Sequence, residues 1–308
     1  MLSVIIPAYN EEAMIPIAAQ EITRVLDEVG IDHELLFVDD GSRDGTWAAI
    51  EAASRPERRG TGLHFSRNFG KESAMFAGLE TAKGDCAVVI DCDLQHPPEK
   101  LPAMVKLWEE GYEVVEGVKV NRGRESGSHR LAARTFYGLI SKATGQDMAN
   151  SSDFKLLDRK VVDALNRMPE RGVFYRALSF WVGFKRTELP YRVQARPAGE
   201  SKWSTRSLIR YTIRNIGSFS SAPLQIVTAL GLLMLVTALV FSLVALVQKF
   251  TGVAIGGFTT VIVLLLFTGS LIMISLGIIG FYLARIYEEL KGRPRYIISE
   301  TCGREDGE

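Results

Sequence analysis

Several phosphate, nucleophile and metal signatures are missing from this chain. No G-x-G-x-x-G follows the first apolar run, which argues against a dinucleotide site of the usual kind. There is no Walker A lysine loop and no G-x-S-x-G elbow. The four histidines, His33, His64, His96 and His129, are scattered, so no zinc cluster can be read from them. Cysteine is scarce. Cys86, Cys92 and Cys302 lack metal-ligand spacing, and an odd count without a disulfide scaffold fits a reducing compartment. Formal net charge is zero, 36 basic against 36 acidic residues, so no global basic field points to nucleic acid. The start, MLSVIIPAYN, has neither a basic n-region nor a long apolar h-region and is not expected to be a signal peptide.

What is present is a chain in two compositional parts. Up to about residue 222 it is mixed and charged, and from Leu224 onward charge nearly vanishes. The first part alternates short apolar runs with helical patterns. LSVIIP, HELLFVDD, GLHFS, CAVVID and YEVVEGV predict five strands, with helices between them. This order predicts an α/β domain, a mostly parallel sheet with helices on both faces. Ligands of such sheets sit beyond the carboxyl ends of the strands. Polar residues gather there: Tyr9-Asn10-Glu11, Asp39-Asp40, Ser66-Arg67-Asn68, and Asp91 with Asp93. Later segments predict a strand turning into a helix over SSDFKLLDRKVVDALNRM, a helix near Val173 to Val182, and an edge strand over FKRTELPYRV, which contains a proline.

The stretch VVIDCDLQHPPEK places Asp91 and Asp93 two apart at a strand end. In an extended segment such residues point the same way, so both carboxylates can face one hard cation, Mg2+ or Mn2+. Gln95 is a possible further ligand, and Pro97 and Pro98 delay the next helix. Asp39 and Asp40 open DDGSRDGT, which reads as a turn and helix cap and also as a carboxylate offered to a base or ribose.

Residues 204–221, STRSLIRYTIRNIGSFSS, interleave Arg206, Arg210 and Arg214 with apolar side chains, as in an amphipathic interfacial helix. Leu224 to Gln248 and Phe250 to Ala284 carry no charge, and each exceeds the roughly 20 residues that span a bilayer. Basic residues precede the pair and Arg285, Lys291, Arg293 and Arg295 follow it, with Lys249 alone between. The positive-inside rule then puts both ends in the cytoplasm. The expected organisation is a domain over 1–203, the interfacial helix over 204–222, a two-helix transmembrane hairpin over 223–285 (about 224–248 and 258–284), and a cytoplasmic tail over 286–308. The expected location is a plasma (inner) membrane, crossed more than once. Gly231, Gly269, Gly277 and Gly280 suit close helix packing and a homo-oligomer.

SVIIPAYNEE, FVDDGSRDGT, FSRNFGKESAMFAGL, DCDLQHPPE and SSDFKLLDR resemble, in this order, the successive motifs of family 2 glycosyltransferases with the GT-A (Rossmann-like) fold. The likeness covers most of residues 2–215 and is greatest to the polyprenyl-phosphate branch, dolichyl-phosphate mannose synthases and bactoprenol glucosyltransferases. The SFSSAPLQI lead into the hairpin resembles the bactoprenol members in particular. The Q-x-x-R-W motif of processive synthases is missing, which argues against polymer synthesis.

The resemblance implies roles. Pro7, Ala8, Tyr9 and Glu11 would line the base and ribose pocket with Asp40 beside them, and Lys71 is placed with the nucleotide-sugar residues, a solvated helix face being its competing reading. Asp91, Asp93 and Gln95 would serve the metal and the donor diphosphate, Asp153 would be the active-site carboxylate, and Lys202 would approach phosphate. The acceptor would be a lipid monophosphate, whose second pKa near 6 makes it mostly a dianion and already a nucleophile. It needs placement and charge balance, for which Arg122, Arg124, Arg130, Arg134 and Arg196 are candidates, with solvent-facing charge near an anionic membrane as the competing reading for half of them. Asp153 is then an orienter or a weak base. The expected reaction is inverting transfer from UDP-glucose to undecaprenyl phosphate, leaving flipping of the product and its onward transfer to other proteins. Donors carrying mannose, a GlcNAc-type sugar or aminoarabinose fit the motifs too, and a non-catalytic nucleotide-binding scaffold is the rival outside enzymology.

Overall fold

The computed structural model describes residues 1–54, 60–120, 152–168, 175–194, 222–251 and 257–303. Arg122, Arg124, Arg130, Arg134, Arg196 and Lys202, and the expected interfacial helix, lie outside the described residues. The chain divides into two compact units, one of residues 1–218 with 294–308, the other of residues 219–293.

The first unit is built on β1 (Leu2–Ala8), α1 (Met14–Glu28), β2 (His33–Asp39), α2 (Thr46–Ala53), β3 (Gly60–Phe65), α3 (Lys71–Thr81), β4 (Cys86–Val89), α4 (Leu101–Glu109), β5 (Val114–Lys119), β6 (Lys155–Asp158), α5 (Arg159–Asn166), α6 (Tyr175–Trp181), β7 (Arg186–Tyr191) and β8 (Ile298–Cys302). One eight-stranded sheet runs β7-β5-β6-β4-β1-β2-β3-β8. Strand β1 is buried along its whole length, as a strand covered on both faces must be, so it reads as a continuous apolar run. Val4, Ile6, Leu35 and Phe37 pack with Ile15, Ile22 and Met104 of the α1 and α4 layer, whereas Val38, Leu63 and Phe65 pack with Ala74 and Ala77 of α3. The β1, β2, β3 and β4 neighbours are parallel, as expected.

Two features depart from the simple alternation. Strand β6 runs antiparallel between β4 and β5, with Val89 opposite Lys155 and Glu116 opposite Lys155. The carboxyl end of β4 therefore meets the start of β6, which carries the residues just after Asp153 to the loop of Asp91. The segment expected as a plain tail also returns to the sheet. β8 pairs antiparallel with β3, Tyr296 stacks on Phe65 with centroids 4.9 Å apart, and Trp47 donates to Glu300 at 3.2 Å.

The second unit holds α7 (Ala222–Phe250) and α8 (Phe258–Leu290). Many of their described apolar side chains, Leu232, Leu243, Leu265 and Met273 among them, are exposed, and others, such as Leu230, Met234 and Leu271, are half-buried. Among the described residues one stretch, Phe267–Leu290, with mean hydropathy 1.9, is long and apolar enough to cross a membrane; Val227–Phe241 is a shorter apolar stretch. A Cβ added at Gly231, Gly269, Gly277 or Gly280 would meet nothing within 4 Å.

Candidate active site

The loops after β1 and β2 are stitched together. Asn10 takes a left-handed conformation (φ 53°); its N–H donates to Ser42 Oγ at 2.8 Å, and its side-chain oxygen accepts from Arg43 N–H at 2.8 Å. Glu11 N–H donates to Thr46 Oγ1 at 2.8 Å. Pro7 and Ala8 are the last β1 residues, level with Val38 and Asp39, and Tyr9 is 38% exposed, so its ring is not spent on core packing.

The two acids of DDGS divide the expected tasks. Asp39 is the turn-former: Oδ1 accepts from Ser42 N–H at 3.0 Å and Oδ2 lies 2.8 Å from His64 Nδ1. Asp40 reaches across to the next loop. Its carboxylate accepts from Phe69 N–H at 2.6 Å and from Gly70 N–H at 2.9 Å. Burial pushes its pKa up to about 6, against the pull of those amides. Gly41 sits between the two loops, and a Cβ there would collide with the backbone of Arg67 and Asn68. The observed work of Asp40 is thus to brace loop 66–70, which leads into Lys71.

Around β4 the site becomes a ladder of alternating charge. Lys71 Nζ, at the start of α3, lies 2.6 Å from Asp91 Oδ1 and 2.9 Å from Asp153 Oδ2. Arg176 on α6 closes the other side of Asp153, with Nε 2.7 Å from Oδ1 and Nη2 3.1 Å from Oδ2. Burial disfavours every charge here, but the partners outweigh it. Arg176 and Lys71 hold the Asp153 carboxyl well below the usual range, and Asp153 and Asp91 raise the Lys71 pKa. Lys71 thus ion-pairs with both acids, and its side chain is 37% exposed.

Asp93 is 7% exposed and accepts Gln95 N–H at 3.0 Å, while Leu94 between them takes φ 53°. That left-handed residue, unusual for a leucine, makes the turn that carries the chain from Asp93 to His96. The His96 ring stacks on Phe154, centroids 5.2 Å apart, and burial lowers its pKa. Among the described residues no three His, Cys, Asp or Glu side chains converge as a metal cage. β4 ends at Val89 and Asp93 lies in a turn, so the expected extended placement of the two acids on one face is not met. By donor type their carboxylates suit a hard cation, because Mg2+ and Mn2+ take one or two carboxylates and complete their shell with phosphate and water. Lys71, now against Asp91, would then share that oxygen.

Three site residues escaped the reading of the sequence. Arg176 is the first. Lys119, ending β5 opposite Tyr191, is the second; burial, and then Arg176, lower its pKa. Glu72 is the third: it accepts Tyr175 N–H at 2.9 Å, which ties α6 to α3, and burial pushes its pKa up to about 7. The available signal was a lone arginine inside VFYRALSFWV, since one charge in an apolar helix demands a buried partner.

The family model described as Glycosyl transferase family 2 matches residues 3–165. The chain is 39% identical over 306 residues to the uncharacterized glycosyltransferase YkcC of Bacillus subtilis, covering 99% of this chain and 95% of the relative. It is 35% identical over 302 residues to a prophage bactoprenol glucosyl transferase homolog of Escherichia coli K12, covering 97% and 99%. Against the bactoprenol glucosyl transferase of Shigella phage SfX, identity is 34% over 299 residues, covering 96% and 98%. Among solved structures, glucosyl-3-phosphoglycerate synthase of Mycobacterium tuberculosis, in complex with Mn2+, uridine diphosphate and phosphoglyceric acid, is similar at 20% identity and TM-score 0.49, over 70% of this chain and 76% of that one.

Proposed function

The chain belongs to glycosyl transferase family 2, and from that premise we propose that it transfers glucose from UDP-glucose to undecaprenyl phosphate, with inversion, to give a polyprenyl-phosphate sugar. The relatives named for bactoprenol glucosyl transfer support the acceptor class and the sugar. The observation that carries the reading is the ladder Asp91–Lys71–Asp153–Arg176 at the strand ends. An acceptor phosphate is a dianion approaching a diphosphate donor, so the site needs cations beside it, and the two acids hold Lys71 and Arg176 there by direct ion pairs.

In the proposed step an oxygen of the lipid phosphate attacks the anomeric carbon as the bond to the nucleoside diphosphate breaks. No proton has to leave the nucleophile, so no general base is required. Asp153, clasped by two cations, serves as their anchor. Arg176 and Lys119 are set to meet phosphate, with Arg122, Arg124, Arg130, Arg134, Arg196 and Lys202 as further candidates. Pro7, Ala8, Tyr9 and Glu11 line the nucleoside pocket, and Asp40 braces its neighbouring loop. Asp91, Asp93 and Gln95 would hold Mg2+ or Mn2+, which neutralises charge on the departing diphosphate. The amphipathic segment 204–221 and the two helices would keep the site at headgroup depth on the cytoplasmic side, with both termini cytoplasmic.

The discriminating variant is Asp91→Asn. Transfer is expected to fall by about a hundredfold or more while membrane insertion is kept, as for loss of a charge-stabilising group. A non-catalytic nucleotide-binding scaffold would be indifferent to the change, and transfer at the wild-type rate would overturn the assignment.

A further inference from the structure

Lysine is seldom buried, and Lys155 is 1% exposed. It opens β6, two residues beyond Asp153. Its ammonium donates to Ser179 Oγ at 2.7 Å and to the main-chain oxygen of Arg176 at 3.5 Å, and Ser179 Oγ donates to that same carbonyl at 2.9 Å. Glu116 Oε1 is 3.3 Å from Nζ, and the Phe180 ring centroid is 4.4 Å away. Glu116 is buried as well, and it accepts from Ser152 N–H at 3.2 Å and from Arg186 at 3.1 Å.

Arg176 is therefore gripped twice from one stretch of chain. Asp153 takes its guanidinium and Lys155 takes its carbonyl. Asp153 stands in a bend just before β6 and Lys155 is the strand's first residue, while residues 176 and 179 share one face of the helix. Desolvating an ammonium and a carboxylate is costly, and an apolar pair of similar volume is often as stable or more so. Stability alone gives no reason for a lysine here.

We propose that Lys155 is a positioning residue for the transfer reaction: it fixes α6 so that the Arg176 guanidinium meets Asp153 and faces the reacting phosphate. The inference rests on the reaction proposed above. Its mark is a change that lowers turnover without lowering stability.

The test uses the full chain in detergent, comparing wild type with Lys155→Met and with Lys155→Met/Glu116→Gln, which removes both charges of the pair. Each is measured for kcat and KM with UDP-glucose and undecaprenyl phosphate, for Tm, and for hydrogen exchange at Val182 and Gly183, whose amides bond to Leu178 and Phe180. In both variants kcat falls about tenfold or more and KM for UDP-glucose stays within about twofold. Tm falls in the single variant, which strands Glu116, and does not fall in the double variant, whose kcat loss decides. Exchange at the two amides rises while that of β1 is unchanged. If kcat and α6 exchange match wild type, or if kcat falls only in step with Tm, the inference is overturned. Should the single variant not fold, the double variant decides by the same criteria. Should wild type transfer no sugar, the reaction reading fails, and the exchange comparison still decides whether Lys155 sets α6.

Discussion

Arg176 meets Asp153 side-on, Nε 2.7 Å from one carboxylate oxygen and Nη2 3.1 Å from the other. The planar fork matches the planar carboxylate, and the second oxygen also faces Lys71 at 2.9 Å. A point charge could not reproduce this geometry. Arg176→Lys is therefore expected to lower kcat about 10- to 100-fold, the kinetic equivalent of one lost charge-assisted hydrogen bond of about 1.5–3 kcal/mol. Steady-state kinetics with the donor saturating checks it, and an Arg176→Lys enzyme at full speed would show that the fork is dispensable.

The clasp also fixes how Asp153 responds to pH. Its folded-state pKa is depressed because Arg176 and Lys71 outweigh burial. Its ion pairs thus add stability that is complete above the ordinary carboxylate value of about 4 and is lost as pH falls through the lower folded value. Between about pH 5.5 and 8.5 it stays ionised, so an acid limb of kcat belongs to groups other than Asp153: the acceptor phosphate, near 6, and the carboxyls of Asp40 and Glu72, which burial pushes up to about 6 and about 7. Asp153→Asn should lower kcat at every pH and keep the limb. A limb present in wild type and missing from the variant would identify Asp153 as a base instead.

The parallel core was legible because β1, β2 and β4 carry the apolar runs VII, LLFV and CAVV, and α1 between the first two has its own apolar stripe. The acids at the ends of β2 and β4 were legible for the same reason, since α/β sheets gather ligands there. The antiparallel insertion of β6 was not legible: local periodicity says nothing about which neighbour a strand chooses, and this choice alone puts Asp153 beside Lys71 and Asp91. β8 was missed because ISETC is short and mostly exposed, without an alternating apolar face.

Strand β8 changes what a C-terminal truncation would do. Deleting everything from residue 224 removes the hairpin and also strips the edge of β3. Tyr296 stacks on Phe65 and bonds to Glu80, and Arg295 lies 4.7 Å from the Phe76 ring centroid. In the full chain, Tyr296→Ala should destabilise the first unit by about 2 kcal/mol, lowering Tm by about 4–8 °C. A thermal melt with unchanged Tm would mean that the C-terminal strand only rests on the sheet.

The reaction itself is tested most directly by a donor screen on the detergent-purified full chain. Undecaprenyl phosphate and Mn2+ or Mg2+ are supplied with labelled UDP-glucose, UDP-GlcNAc, UDP-galactose or GDP-mannose in separate tubes, and label is counted in the organic phase. The account predicts lipid-borne label from UDP-glucose, lost in Asp91→Asn. No label from any donor, with nucleotide binding intact by calorimetry, would contradict it.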